Sequence, residues 1–382
     1  MPQRLIGLFL AAAVLAACSG ESATESAGSP ASSDTTTTAP QPTTTTASTT
    51  STTSVQQRGE LGNGETITLA FGGDSSFTGL DAALRSDPAR LLAPIATTLS
   101  GADRAMVNLE AALTEGGTPS AKQFNFRVPP QALESLAAAG VDAVSVANNH
   151  GMDYGPAGFE DTIAVRATSA DTYGVTVLGA GAEQDDAYSP LIADVSGQRL
   201  GVIAATDVLD GSLMAAWTAG PDKPGLASSK GDREQRLIDE VTRTRPEVDT
   251  LVVYLHMGRE TETCPNARQV ELTRALHAAG ADIVVGTHAH RLQGAGYTEA
   301  GDFAAYGLGN YIFGTSSAAG RQSGTLLVDV TGQRIDDWRW EPARITNSVP
   351  IPLEGRGADL EAASFAALAD CAGLTVTPPE AA

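Results

Sequence analysis

Basic side chains are scarce in this sequence: 24 lysines and arginines stand against 45 acids, giving a formal net charge of −21. A balance that negative argues against nucleic acid or an anionic membrane surface as the electrostatic partner. It says less about an anionic group bound at a local cationic site, because salt screens charges beyond roughly 8 Å. Cysteine is scarcer still, with only Cys18, Cys264 and Cys371. The apolar run near the N-terminus, residues 5–15, is too short to span a bilayer comfortably. Histidine numbers five, so the place of each one carries information.

What is present begins with a leader. Arg4, the apolar run and small residues before Cys18 have the layout of a secretory signal over 1–17. Leu15-Ala16-Ala17-Cys18 resembles a bacterial lipobox. We therefore expect Cys18 to be the lipidated first residue of an exported membrane lipoprotein on the extracytoplasmic face. Ordinary cleavage near Ala17 is the alternative. Residues 18–63 are rich in Ser, Thr and Pro and cannot bury enough apolar surface to offset ordering, which predicts a flexible tether. In an oxidising compartment Cys264 and Cys371 invite a disulfide, two buried thiols being the other reading.

Beyond the tether, short β-branched runs alternate with amphipathic stretches, the pattern of a layered α/β domain. Strands are expected over 66–71, 102–108, 143–147, 200–204, 250–255, 282–285, 304–313 and 325–330. Helices are expected over 131–139, 158–167, 232–244, 268–279 and 360–371. No Pro/Gly-rich break interrupts the middle of the chain, so one domain is assigned to 64–350, with a C-terminal helix and tail over 351–382.

Ligand-type residues fall where those strands end. Asp74 follows the first strand; Asn108 and Glu110 follow the second; Asn148, Asn149 and His150 follow the third. His256 closes a later strand, and His288 and His290 follow the next. Loops at the carboxyl ends of strands converge on one sheet edge, so these residues are expected to meet. One residue between His288 and His290 lets both imidazoles reach adjacent ions. His277, inside a predicted helix, reads as an ordinary helix residue. Imidazole, carboxylate and amide oxygen together suit one or two divalent transition ions such as Mn, Fe or Zn.

The motifs Phe71-Gly72-Gly73-Asp74, Asn108-Leu109-Glu110, Asn148-Asn149-His150-Gly151-Met152-Asp153, His256-Met257-Gly258-Arg259-Glu260, Gly286-Thr287-His288-Ala289-His290 and Leu308-Gly309-Asn310-Tyr311 resemble the CapA family of poly-γ-glutamate capsule proteins. That family is similar to the calcineurin-like metallophosphoesterases. The resemblance implies a four-layer α/β/β/α sandwich. It implies that Asp74 and His290 hold one ion, that Asn149, His256 and His288 hold the other, and that Glu110 bridges them. His150 would then stabilise the transition state or protonate the leaving group. Asp153 has two readings, orienting His150 or capping the next helix. Two departures from the phosphoesterase pattern matter. Asp74-Ser75-Ser76 lacks the histidine of the usual Asp-x-His, and Asn108-Leu109-Glu110 replaces Gly-Asp-x-x-Asp, which leaves the count of ions open.

Three side candidates remain. Arg127 could meet a substrate carboxylate or phosphate, or serve as a surface ion pair. Glu260 could support His256 or be a solvated loop acid, and Asn310 could shape a turn. The function expected from the resemblance is synthesis, export or processing of poly-γ-glutamate or a related envelope polymer, alongside membrane capsule-synthesis proteins. A metal-dependent phosphoesterase and a non-catalytic, metal-dependent binder of an anionic polymer are the alternatives.

Overall fold

A computed structural model describes residues 62–379. The expected leader, Cys18 and the expected tether up to residue 61 lie outside the described residues. Among those described, no helix is long and apolar enough to cross a membrane.

Two sheets make the framework. The first has seven strands in the order Val349–Pro352, Arg334–Thr346, Gln322–Thr331, Ile67–Ser75, Arg104–Leu109, Ala143–Ser145 and Thr176–Leu178. The last four run parallel, and the others pair antiparallel. The second has six: Ala295–Tyr297, Phe303–Ala305, Ile283–His288, Thr250–Met257, Gln198–Thr206 and Leu191–Val195. Its central four are parallel.

Side chains alternate across a strand, so each sheet presents two faces, and here both faces are apolar. Leu69, Phe71, Met106 and Val328 of the first sheet pack with Leu200, Val202, Val252 and Val285 of the second. The opposite residues, Ala70, Val107 and Val144, meet Leu133, Leu136 and Phe159 from helices Gln131–Ala138 and Gly155–Tyr173. On the far side, Ile203, Val253 and Val284 meet Leu237, Val241, Leu272 and Leu276 from helices Glu234–Thr244 and Ala267–Ala279. The layers are therefore helix, sheet, sheet, helix, the expected sandwich.

Several boundaries differ from the sequence expectation. The strand over 304–313 shrinks to Phe303–Ala305. Beyond it the backbone serves other partners, Leu308 N–H donating to Gly286 O and Tyr311 N–H to Asp74 O. The helix over 158–167 extends to Gly155–Tyr173. The helix over 360–371 starts earlier, at Gly355, ends at Ala366, and is followed by a short turn Ala369–Ala372. The boundary at 350 falls inside strand Val349–Pro352. The C-terminal segment is integral to the core: Phe365 is buried and stacks on Trp340 with ring centroids 4.2 Å apart. Cys371 closes a disulfide to Cys264, Cα atoms 5.7 Å apart, rather than leaving two free thiols.

Candidate metal centre

The carboxyl ends of the parallel strands gather polar side chains in an otherwise apolar interior. The backbone of Asp74 is held first. A Cβ at Gly73 would fall 2.0 Å from Gly309 O, so only glycine lets the two segments cross. At that crossing Asp74 N–H donates to Gly309 O at 2.9 Å. Asn148 ties the next two strand ends together, its amide donating to Asn108 Oδ1 at 3.0 Å and to Leu109 O at 2.9 Å. Its own Oδ1 accepts from His150 N–H at 3.0 Å.

Two ligand groups result, and Glu110 belongs to both. Glu110, His256 and His288 each place one ligand atom within 4.8 Å of the others, as do Asp74, Glu110 and His290. His256 Nε2 lies 3.5 Å from Glu110 Oε1 and 2.7 Å from Asn149 Oδ1, which adds an amide oxygen to the first group. His290 lies 3.1 Å from Asp74 Oδ2 through Nδ1 and 3.8 Å from Glu110 Oε1 through Nε2.

The orientations are set from behind. His256 Nδ1 sits 3.1 Å from both Thr287 Oγ1 and Asn108 Nδ2, which leaves Nε2 facing the cluster. Asp74 accepts from Asn108 Nδ2 at 2.8 Å and from His288 N–H at 3.1 and 3.2 Å. Asn310 Oδ1 lies 2.8 Å from His290 Nδ1, so Asn310 holds the His290 ring and does more than shape a turn. His288 and His290 take positive φ values of 90° and 52°, conformations that cost energy and persist where surroundings impose them.

Both oxygens of Glu110 are buried without a hydrogen-bond partner, and so is Nδ1 of His288. A carboxylate stripped of water and left unpaired costs several kcal/mol. Divalent cations held there would give these atoms the partners they lack, so the residues fit a metal. The mixed imidazole, carboxylate and amide set is transition-metal chemistry. Burial, and then the Asp74 charge, push the Glu110 carboxyl well up from its ordinary range. Burial, and then neighbouring imidazoles, push His256 well down and His288 to about 3, which keeps both neutral and able to coordinate. Burial also works against His290, but the Glu110 and Asp74 charges outweigh it and hold that ring at about 10.

Beside the ligands stands His150, its Nε2 4.0 Å from Glu110 Oε1 and its Nδ1 2.5 Å from Asp153 Oδ2. Of the two readings for Asp153, the contact with His150 is the one present. Helix Gly155–Tyr173 begins with no side-chain cap.

With this geometry in view, sequence comparison gives the family. The family profile described as bacterial capsule synthesis protein PGA_cap matches residues 68–315. The chain belongs to this family. It is 29% identical over 232 residues to the capsule biosynthesis protein CapA of Bacillus anthracis, covering 58% of this chain and 54% of that one. It is 27% identical over 234 residues to the PGA biosynthesis protein CapA of Bacillus subtilis, covering 61% and 58%. A probable polyglutamine synthesis accessory protein of Mycobacterium tuberculosis is 26% identical over 194 residues, 49% of this chain and 50% of that one. The chain thus spans little more than half the length of the curated relatives it matches. Among solved structures, one described as a novel phosphatase from Mycoplasma pneumoniae shares 14% identity at a TM-score of 0.45, covering 73% of this chain and 94% of that one.

Not every candidate on this PGA_cap domain joins the cluster. Arg127 is exposed; its guanidinium lies 4.6 Å from the Tyr154 ring centroid and donates to Glu115 O at 3.3 Å. Neither contact is with a ligand residue, so the structure does not bring Arg127 into the site. Glu260 is exposed, and its charge reaches Glu110 only as a minor influence. His277 Nδ1 lies 2.9 Å from Ala281 O at the end of its helix, away from the other four histidines. Sequence reasoning missed Thr287 behind His256, and the rings of Phe126 and Phe313, 4.3 Å from His150 and 5.0 Å from His290. It also missed Lys122, whose position depends on loop docking that no local pattern announces.

Proposed function

We propose that this domain is a metal-dependent hydrolase acting on an anionic envelope polymer of the poly-γ-glutamate kind, in an exported protein tethered to the membrane through Cys18. Membership of a capsule synthesis family supports the polymer-related role. The observation that carries the hydrolytic reading is Glu110, buried where two ligand-type groups meet with neither oxygen accepting a hydrogen bond. A divalent ion bound there would polarise a substrate oxygen and lower the pKa of an attacking water. The chain's own residues supply the rest. Asp153 fixes Nδ1 of His150, which leaves Nε2 turned toward the cluster, where it would take a proton from the attacking water and pass it to the leaving amide nitrogen as the C–N bond breaks. Asn149, His256, His288, Asp74, His290 and the shared Glu110 would hold the ions.

The test uses the purified chain loaded in turn with Mn, Zn or Fe, against poly-γ-glutamate and a panel of phosphoesters. Polymer shortening that drops by about 10²–10⁴-fold in His150→Ala, with metal content unchanged, is the expected result. Cleavage of phosphoesters alone would transfer the reading to a phosphoesterase. Metal-dependent polymer binding without turnover, unaffected by His150→Ala, would make the domain a binder. Mass spectrometry of the mature N-terminus checks the anchor: an unmodified terminus other than Cys18 removes it.

A further inference from the structure

The segment between the short paired strands Ala112–Leu113 and Arg127–Val128 has no regular structure, yet it is stitched to the start of helix Gly155–Tyr173. Thr118 N–H donates to Tyr154 O at 3.0 Å and Ser120 N–H to Asp153 O at 2.7 Å. Phe126 N–H donates to Asp153 Oδ2 at 2.7 Å. Gly117, at φ 77°, lies where a Cβ would fall 2.2 Å from Tyr154 O, so this approach requires glycine.

The docking carries Lys122 inward, leaving 9% of its side chain exposed. A head group drawn out of water needs partners, and these are specific. Nζ donates to Asp153 Oδ1 at 2.7 Å and to the main-chain oxygen of Asn149, and lies 5.0 Å from the Trp217 ring centroid. The other oxygen of Asp153 faces His150 Nδ1. One lysine therefore touches both the carboxylate that orients His150 and the backbone of Asn149. The Asn149 side chain, in turn, lies against His256 Nε2. None of these contacts reaches Asp74 or His290, and on the shared Glu110 the Lys122 charge is only the smallest of the influences.

We propose that Lys122 is a positioning residue that joins Asn149 and the Asp153–His150 pair into one unit, and that it acts selectively on the ion position formed with His256 and His288. The inference rests on the reading of Asn149 and His256 as ligands given above. If it holds, a ligand amide and the proton-transferring imidazole share one support, and disturbing that support weakens one ion position and leaves the other alone. A lysine that merely filled space would weaken neither, or both along with the fold.

The experiment titrates the metal-free full chain with Mn²⁺ by calorimetry and electron paramagnetic resonance, comparing wild type, Lys122→Met, Lys122→Arg and His256→Ala. Lys122→Met is expected to lose about 10–100-fold in affinity at the position His256→Ala abolishes, with the other unchanged and the melting temperature close to wild type. Lys122→Arg, which keeps a cation, is expected to recover part of that loss. Should Lys122→Met fail to fold, Lys122→Arg must still show the selective loss in smaller degree. Unchanged affinities in Lys122→Met, or equal losses at both positions, overturn the inference while leaving the metal site standing. Wild type that takes up no Mn²⁺ overturns the metal reading itself, and this inference with it.

Discussion

Two charged clusters sit at the same edge of the sandwich and handle their charges in opposite ways. Asp207 follows strand Gln198–Thr206, and Arg268 answers it with Nη2 2.7 Å from Oδ1 and Nε 3.1 Å from Oδ2. The same guanidinium reaches Glu234 Oε2 at 2.5 Å and Ser229 O at 2.9 Å. Asp207 and Glu234, with their hydrogen bonds, push the Arg268 guanidinium up. Every charge there has its answer in the chain. Glu110, by contrast, is buried among side chains of which none hydrogen-bonds to it. The lesson is that burial of an acid says little by itself. An acid whose partners are supplied from within is architecture, and one left open at the meeting of three imidazoles and a second carboxylate is prepared for something from outside.

The largest effect should come from closing the open cluster. Glu110→Gln is expected to weaken Mn²⁺ uptake at both positions by at least about 100-fold, since both groups share this carboxylate. The metal-free variant should still fold, because the cheaper burial of a neutral amide offsets the lost attraction to His290. Paired calorimetric titration and thermal melting would show both halves. A variant that kept its metal would make Glu110 an ordinary buried acid. Asp207→Asn should do the reverse, lowering stability to denaturant by about 1–3 kcal/mol, with the partial exposure of Arg268 limiting the loss. Its metal uptake should match wild type.

The smallest expected effect is on pH dependence without metal. His256 and His288 have folded values below their ordinary 6.5, so the unfolded chain binds more protons than the folded one as pH falls from about 6.5 toward 3. Stability is therefore lost on acidification through that window. The raised carboxyl of Glu110 pulls the other way, as does His290 near its unfolded 6.5, whereas His150, also lowered by burial, adds to the loss. His290, held at about 10, contributes stability that is fully present below 6.5 and lost as pH rises through 10. Melting curves of the metal-free chain between pH 5 and 7 should show a lower midpoint at pH 5. A flat profile would mean that the two histidines gain compensating partners on folding.

Much of the framework was legible before any coordinate. The β-branched runs at 250–255 and 282–285 mark fully buried strands because a parallel sheet covered on both faces leaves no polar side to alternate with. Strand Arg334–Thr346 escaped because its aspartates, arginines and Pro342 interrupt any apolar period. The docking of the C-terminal segment escaped for a related reason: Phe365 finds Trp340 only after the chain has closed the sheet. At the site, the identities of Asp74, Glu110, Asn149, His256, His288 and His290 stood out because each falls at or just past the carboxyl end of a strand. Arg127 stood out too, in a suggestive phrase, and the structure turns it onto Tyr154 instead.

By itself the sequence determined which residue types reach the sheet edge, because strand periodicity and strand length decide where a loop begins. It could not determine which atoms face one another there. Asp153 had two local roles of equal standing, and the choice between them came from Lys122 and Phe126, residues 31 and 27 positions away in the chain. The sharing of Glu110 between two ligand groups is likewise a product of two sheets packing face to face. Distances of that kind depend on how the layers close, which is a property of the whole core and of no single segment.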